Sequence, residues 1–225
     1  MPQKSKLSLV KTVIFDLGGV LLDIDMGRCI KELEALGLAA KSWMTSKGER
    51  GAAGGTLCEG AAASKVMDQY QMGQISTKQF LGEALKGCRP GTTWQQVVDA
   101  WNAWLICIPI EKLEMLKRLR KDGYKVYMLS NTNEEHWRFM EENMFPEPVS
   151  SYFDEVFMSQ LLGMAKPDLR VFEYVLRKIG EKAENCLYVD DTVINCEAAA
   201  RLGLHICKVE PNTMWEEEKI RMHLD

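Results

Sequence analysis

The sequence predicts an α/β fold: a parallel sheet flanked by helices, with a helical cap inserted after the first strand. Three observations predict it. Short apolar runs end on polar residues: Val13-Ile14-Phe15 on Asp16, Val126-Tyr127-Met128-Leu129 on Ser130-Asn131-Thr132, and Leu187-Tyr188-Val189 on Asp190-Asp191. Buried runs bounded by turn chemistry read as parallel strands. After Pro109, strand and helix patterns alternate, as βαβ units require. Between the first strand and Pro109 the periodicity is helical only.

Taken in order, the first strand is expected over Val10 to Asp16, followed by the turn Gly18-Gly19. Helices are expected over Met26 to Leu36, Gly60 to Tyr70, Thr77 to Leu85 and Thr93 to Leu105, with a small-residue loop at Gly51 to Gly55. The helix Glu111 to Lys121 carries Leu113, Leu116 and Leu119 on one face and closes at Asp122-Gly123. The second strand follows, then a helix from Asn133 to Asn143 and a third strand from Phe153 to Met158. A helix from Pro167 to Ile179 places proline in its first turn. The fourth strand leads into a helix from Asn195 to Leu202, and Leu204 to Val209 is the fifth strand. Met214 to Leu224 reads as a surface helix. The expected domains are a catalytic core, 1–20 with 108–225, and a cap, 21–107. The first strand must be central, because its loop carries a whole lid, and a lid there suits substrate selection and water exclusion.

A chain of 225 residues can bury a sizeable core. Hydrophobic content of 46% and charge of 27% fit a soluble globular protein. A net charge of -4 argues against nucleic acid as the main partner. No apolar run has the length of a membrane span, since Asp16 and Asp23 interrupt the best one. Met1 to Lys6 is polar, with no signal-peptide core after it. Seven scattered cysteines without a CxxC pair read as reduced thiols in a cytoplasmic protein. Three histidines and spread cysteines give no zinc spacing.

In an open α/β sheet, ligands bind outside the carboxyl ends of the strands. Asp16, the Ser130 hydroxyl with the amides after it, and the pair Asp190-Asp191 are therefore expected in one crevice. Lys166, in Gly163-Met164-Ala165-Lys166-Pro167-Asp168, can supply a cation. Such a set of carboxylates, hydroxyl and lysine suits phosphoryl transfer.

Asp16-Leu17-Gly18-Gly19-Val20, Leu129-Ser130-Asn131-Thr132, Lys166-Pro167 and Asp190-Asp191 stand in the order and spacing of the four motifs of the haloacid dehalogenase superfamily. The chain resembles that superfamily over nearly its whole length. Its wording is most similar to the branch of bacterial α-glucose-1-phosphate phosphatases and the N-terminal phosphatase domain of soluble epoxide hydrolase. The resemblance implies a Rossmann-like sheet of order 3-2-1-4-5 and a magnesium-dependent phosphatase. It implies that Asp16 is a nucleophile forming an acyl phosphate. Ser130, the Asn131 backbone N–H and Lys166 would hold phosphoryl oxygens. Magnesium would be bound by Asp16, the Gly18 carbonyl and Asp191. Asp190 is the second choice, acting through water or anchoring Lys166. Asn195 is expected to cap the following helix or to support the metal end.

Gly18 departs from the family pattern, in which a second Asp at this position protonates the leaving group. That help is typically worth about 10²–10⁴-fold. Either the substrate has a good leaving group, or another acid such as Asp23 or Asp25 substitutes, or the protein is a weak enzyme with a binding role. The leading expectation is a phosphomonoesterase acting on a small phosphorylated metabolite such as a sugar phosphate. The rivals are a phosphomutase and a binding pseudo-phosphatase. The chain is expected to be a monomer, with a weak dimer as the alternative. In the cap, Trp94, Trp101 and Trp104 have helical spacing and are read as packing, and Arg28 and Lys31 are the candidates for a second anionic group.

Overall fold

A computed structural model of the chain describes residues 10–44, 62–214 and 217–224. The expected loop at Gly51 to Gly55 and the polar start Met1 to Lys6 lie outside the described residues. In chain order the elements begin with β1 (Thr12–Phe15) and β2 (Asp23–Ile24). The helices α1 (Met26–Ala35), α2 (Ala40–Met44), α3 (Ala62–Gln71), α4 (Thr77–Gly87) and α5 (Trp94–Asn102) follow. Next come β3 (Leu105–Cys107), α6 (Ile110–Lys121), β4 (Lys125–Ser130) and α7 (Glu134–Asn143). Then come β5 (Glu155–Met158), the short α8 (Ser159–Leu162), α9 (Leu169–Ile179) and β6 (Cys186–Asp190). The chain closes with α10 (Val193–Arg201), β7 (His205–Lys208) and α11 (Glu217–Arg221).

The five main strands form one parallel sheet in the order β5-β4-β1-β6-β7, which is the expected 3-2-1-4-5 order. Side chains alternate across a strand, so each run feeds two cores. Val13, Phe15, Val126, Met128, Leu187 and Val189 pack with α6 on one face. Ile14, Tyr127, Leu129 and Tyr188 pack with α9 on the other. Burial on both faces explains why these strands read as continuous apolar runs. The register aligns the site: Phe15 pairs with Met128 on one side and Val189 on the other. Asp16 and Asp190 each lie one residue beyond, and Ser130 ends its strand, so all three emerge at one edge.

Helices α1 to α5 bury a separate apolar cluster that includes Leu33, Phe80, Val97 and Trp101. Two of them start with reciprocal caps, Ser76 with Gln79 and Thr93 with Gln96, which satisfy amides that a helix start otherwise leaves unpaired.

Several elements differ from expectation. The helix expected over Thr93 to Leu105 stops at Asn102, because Leu105 pairs with Ile24 in a two-stranded antiparallel ribbon, β2-β3. Runs of two and three residues are too short to show alternation. The three tryptophans therefore do not share one helix: Trp94 and Trp101 lie on α5, the first exposed and the second buried, and Trp104 follows it. Pro167 lies outside α9, after a cis peptide, and Asp168 caps the helix by accepting from Arg170 N. The carboxy-terminal helix is not only a surface element, since Ile220 and Leu224 are buried in the larger core cluster. Among the described residues no helix is long and apolar enough to cross a membrane.

Candidate active site

Asp16, Lys166, Asp190 and Asp191 meet at the carboxyl edge of the sheet, and all are buried. Lys166 Nζ lies 2.7 Å from Asp16 Oδ1 and 3.0 Å from Asp190 Oδ2. Asp16 Oδ1 also accepts from Leu17 N at 2.6 Å. One oxygen of Asp16 is thus held by two donors. Asp190 is enclosed by donors: Lys166, the Tyr188 hydroxyl, Thr192 N at 2.7 Å and Asn195 Nδ2 at 3.1 Å. Asp191 is less committed, accepting from Thr192 Oγ1 at 3.2 Å. Asn195 sits inside the first turn of α10 and supports Asp190, whereas Thr192 takes the cap position.

Each of Asp16, Asp190 and Asp191 offers an oxygen within 4.8 Å of the other two. Such a cluster of carboxylates suits a hard divalent cation. Gly19 supports this fit. Its φ is +79°, and a Cβ there would stand 2.5 Å from Asp191 Oδ2. Only a residue without a side chain leaves that carboxylate room, and Gly also tolerates the left-handed backbone. Magnesium fits the donor set, with Asp191 as the better placed member of the pair.

Burial is the main cause that lifts the Asp16 carboxyl to about 7; Lys166 opposes it, and Asp190 and Asp191 add to it. Burial, then Asp190, lifts Asp191 to about 6. Lys166 is pulled down by burial, but Asp16 and Asp190 more than offset this and hold it above its ordinary value. These shifts have a sign that can be tested. A carboxyl raised in the folded state binds more protons folded than unfolded. These two carboxyls therefore take stability from the metal-free protein as pH rises from about 4 to about 7. Cation binding displaces those protons, so the gain in Tm with magnesium over chelator should be larger at about pH 7.5 than at about pH 5.5. Burial lowers His136 to about 4, which acts with the opposite sign in the same window. Comparing the two Tm values at each pH cancels it. An equal gain at both pH values would contradict the carboxylate assignment.

The cavity beside Asp16 is lined by Gly18, Ser130, Asn131, Lys166 and Asn195 at its polar end. Asn131 has a role the motif did not show. Its side chain donates to Lys166 O and accepts from Lys166 N, both at 2.9 Å, fixing the lysine backbone. The linker and cap supply Leu22, Ile24, Gln71, Trp104 and Leu105, and α7 supplies His136 and Met140.

Asp23 and Asp25 are not brought to this cavity. Asp25 caps α1 through Arg28 N, and Asp23 pairs with buried Lys112 at 3.4 Å. Arg28 and Lys31 are exposed and do not line the cavity either. Trp101 packs inside the cap as expected, and it also stacks on His136 of the core at 4.7 Å. His136 Nε2 donates to Trp101 O at 3.2 Å, and its Nδ1 accepts from Asn133 Nδ2 at 3.1 Å. Both ring nitrogens are thus committed, Nε2 to the cap and Nδ1 within the core, in keeping with a neutral imidazole.

Asn212 is a further residue that sequence reasoning missed. Its side chain pairs with both backbone groups of Ile24, at 2.9 and 2.8 Å, and its N–H donates to Gly19 O at 2.8 Å. It adopts φ 55°, a conformation asparagine tolerates. The loop after β7 therefore fixes the segment that leaves the Asp16 strand.

A family model for haloacid dehalogenase-like hydrolases matches residues 10–203. The chain belongs to the haloacid dehalogenase-like hydrolase family. It is 26% identical over 213 residues to a D-ribitol-5-phosphate phosphatase of Bacteroides thetaiotaomicron, covering 93% of this chain and 97% of the relative. It is 27% identical to a sesquiterpene phosphatase of Aspergillus oryzae, covering 87% and 89%. Its fold is similar to that of a haloacid dehalogenase family enzyme from Bacteroides thetaiotaomicron, solved in complex with magnesium and inorganic phosphate. The TM-score is 0.80 at 29% identity, covering 93% of this chain and 98% of the other.

Proposed function

We propose that this haloacid dehalogenase-like phosphatase is magnesium-dependent and hydrolyses monoesters of small phosphorylated metabolites through an aspartyl phosphate on Asp16. The observation that carries the reading is Asp16 itself. One of its oxygens is anchored by Leu17 N and Lys166, and it lies in a cluster of three carboxylates within 4.8 Å. The second oxygen is the one offered to phosphorus. An Asp16 O–P bond forms as the ester P–O bond breaks, and the leaving alcohol takes its proton from solvent. Water then attacks phosphorus, the acyl phosphate bond breaks, and inorganic phosphate leaves with Asp16 restored. Lys166 and Ser130 face the phosphoryl oxygens, where charge spreads in the transition state. Asp191 and Asp16 would hold magnesium, which when bound offsets the repulsion between the phosphoryl group and the carboxylates. Asp190 keeps Lys166 in place. The magnesium and phosphate in the similar structure support this reading. The relatives, a D-ribitol-5-phosphate phosphatase and a sesquiterpene phosphatase, support a small phosphorylated substrate.

The test is phosphate release from p-nitrophenyl phosphate with magnesium and with chelator; turnover in magnesium alone is expected. Gly18 gives the reading a second measurable consequence. With no acid at this position, and Asp23 and Asp25 held elsewhere, rates should fall steeply as leaving-group pKa rises. A Cβ on Gly18 would meet Ile24 Cδ1 at 3.4 Å, an ordinary contact, so the backbone position itself does not forbid a side chain. Gly18→Asp should help alkyl phosphates more than aryl ones, by up to about 10²–10⁴-fold. A shallow slope in the wild type, unchanged in the variant, would show that the proton comes from another group.

A further inference from the structure

We infer that the alcohol part of the substrate is an uncharged hydrocarbon group and not a polyol. The inference rests on the phosphomonoesterase reading above and goes on to name its substrate class. The first observation is the cavity wall. The ribbon contributes the cross-strand pair Ile24 and Leu105, its flanks contribute Leu22 and Trp104, and α7 contributes Met140. Asn212 pins Ile24 through its backbone, so this wall is a built surface.

The second observation is that several polar groups beside this wall are already engaged. His136 has both ring nitrogens bonded, to Trp101 O and to Asn133. Asn133 Oδ1 accepts from His136 N and Trp101 Nε1. The Asn195 Nδ2 is given to Asp190, and both ends of the Asn131 amide to the Lys166 backbone. A polyol brings several hydroxyls, each of which loses water on entry and needs a partner. Among the described residues the Gln71 amide and the Ser130 and Thr132 hydroxyls also line the cavity, the hydroxyls beside the phosphoryl end and not along the apolar wall. Lys166 is the only cation lining the cavity among the described residues, and two carboxylates already hold it. The wall therefore favours a neutral apolar body behind a single phosphoryl group. Each methylene seated in such a wall discriminates by roughly tenfold or more.

The test compares hexyl phosphate with D-ribitol 5-phosphate, two primary alkyl esters, so that departure of the alcohol differs little between them. In the wild-type enzyme with magnesium, kcat/KM should favour hexyl phosphate by on the order of tenfold or more, chiefly through KM. Trp104→Ser and Ile24→Ser should each collapse that ratio. Hexylphosphonate, whose P–C bond is not cleaved, should inhibit the wild type more strongly than inorganic phosphate does, and this arm needs no variant. Preference for the ribitol ester, or a ratio that both substitutions leave intact, or equal inhibition by phosphonate and phosphate, would overturn the inference while leaving the phosphatase reading in place. Failure to release phosphate from any ester, p-nitrophenyl phosphate included, would remove the reading and this inference with it.

Discussion

Asp16→Asn is expected to lower turnover by on the order of 10⁴-fold or more while the protein stays folded. The change is nearly isosteric. The amide oxygen can still accept from Leu17 N and Lys166, so the anchoring at 2.6 and 2.7 Å has a replacement. What is lost is the carboxylate that in the proposed mechanism attacks phosphorus. The same argument predicts the stability. Burial and two neighbouring carboxylates raise the Asp16 carboxyl to about 7, so its charge is unfavourable in the metal-free fold above that pH. Asp16→Asn removes that charge. In chelator at about pH 7.5 its Tm should equal or exceed that of the wild type. An inactive protein that is no less stable is the expected mark of a functional carboxylate. Turnover within tenfold of the wild type would remove Asp16 from the mechanism.

Lys166→Met should damage both activity and stability. Lys166 is a buried cation between two buried carboxylates, and methionine matches its length without its charge. Removing one partner of a buried pair typically costs about 3–5 kcal/mol, because the remaining charge has no compensation. Losing a preorganised donor to the phosphoryl group costs a further 10²–10³-fold or so in kcat. The sign with pH follows from the same contacts. Without Lys166 the carboxylates hold their protons more strongly when folded, so the loss of stability relative to wild type should grow as pH rises. Magnesium should recover part of it by supplying positive charge to the same cluster. Urea unfolding in chelator and in magnesium, at two pH values, measures all three effects. Unchanged stability together with unchanged kcat would make Lys166 a bystander.

The parts of this protein that were legible in its sequence share a physical cause. Strands buried on both faces must be apolar throughout, and a strand that ends on a functional group must change character abruptly there. Val13 to Asp16, Val126 to Ser130 and Leu187 to Asp190 all show that break. A parallel sheet then converts three distant breaks into one edge. The convergence of Asp16, Ser130, Lys166 and Asp190-Asp191 is therefore written in the order of residues along the chain.

What stayed hidden depends on contacts that leave no periodic trace. The β2-β3 ribbon is held by a few backbone bonds and by Asn212, a residue 188 positions from its partner Ile24. The cap is fastened by the pairing of His136 with Trp101 and by Ser159, whose hydroxyl donates to Gln71 O at 2.6 Å and accepts from Thr132 N at 3.1 Å. A Cβ on Gly73 would run into the Gln160 carbonyl, so the cap and core backbones nearly touch there. Asp23 and Asp25 looked like replacement acids because they are close to Asp16 in sequence. Their side chains are used by Lys112 and by the start of α1. Proximity along the chain said nothing about direction.

The central claim, a phosphoryl group carried on Asp16, can be tested by acid-quenching the enzyme during turnover of p-nitrophenyl phosphate in magnesium and mapping the adduct by peptide mass spectrometry. The account predicts one hydroxylamine-sensitive phosphoryl adduct on the peptide containing Asp16, absent in chelator and absent from Asp16→Asn protein. An adduct on a different residue, or active enzyme that shows no adduct at any quench time while its product carries the stereochemistry of a single in-line displacement, would contradict it.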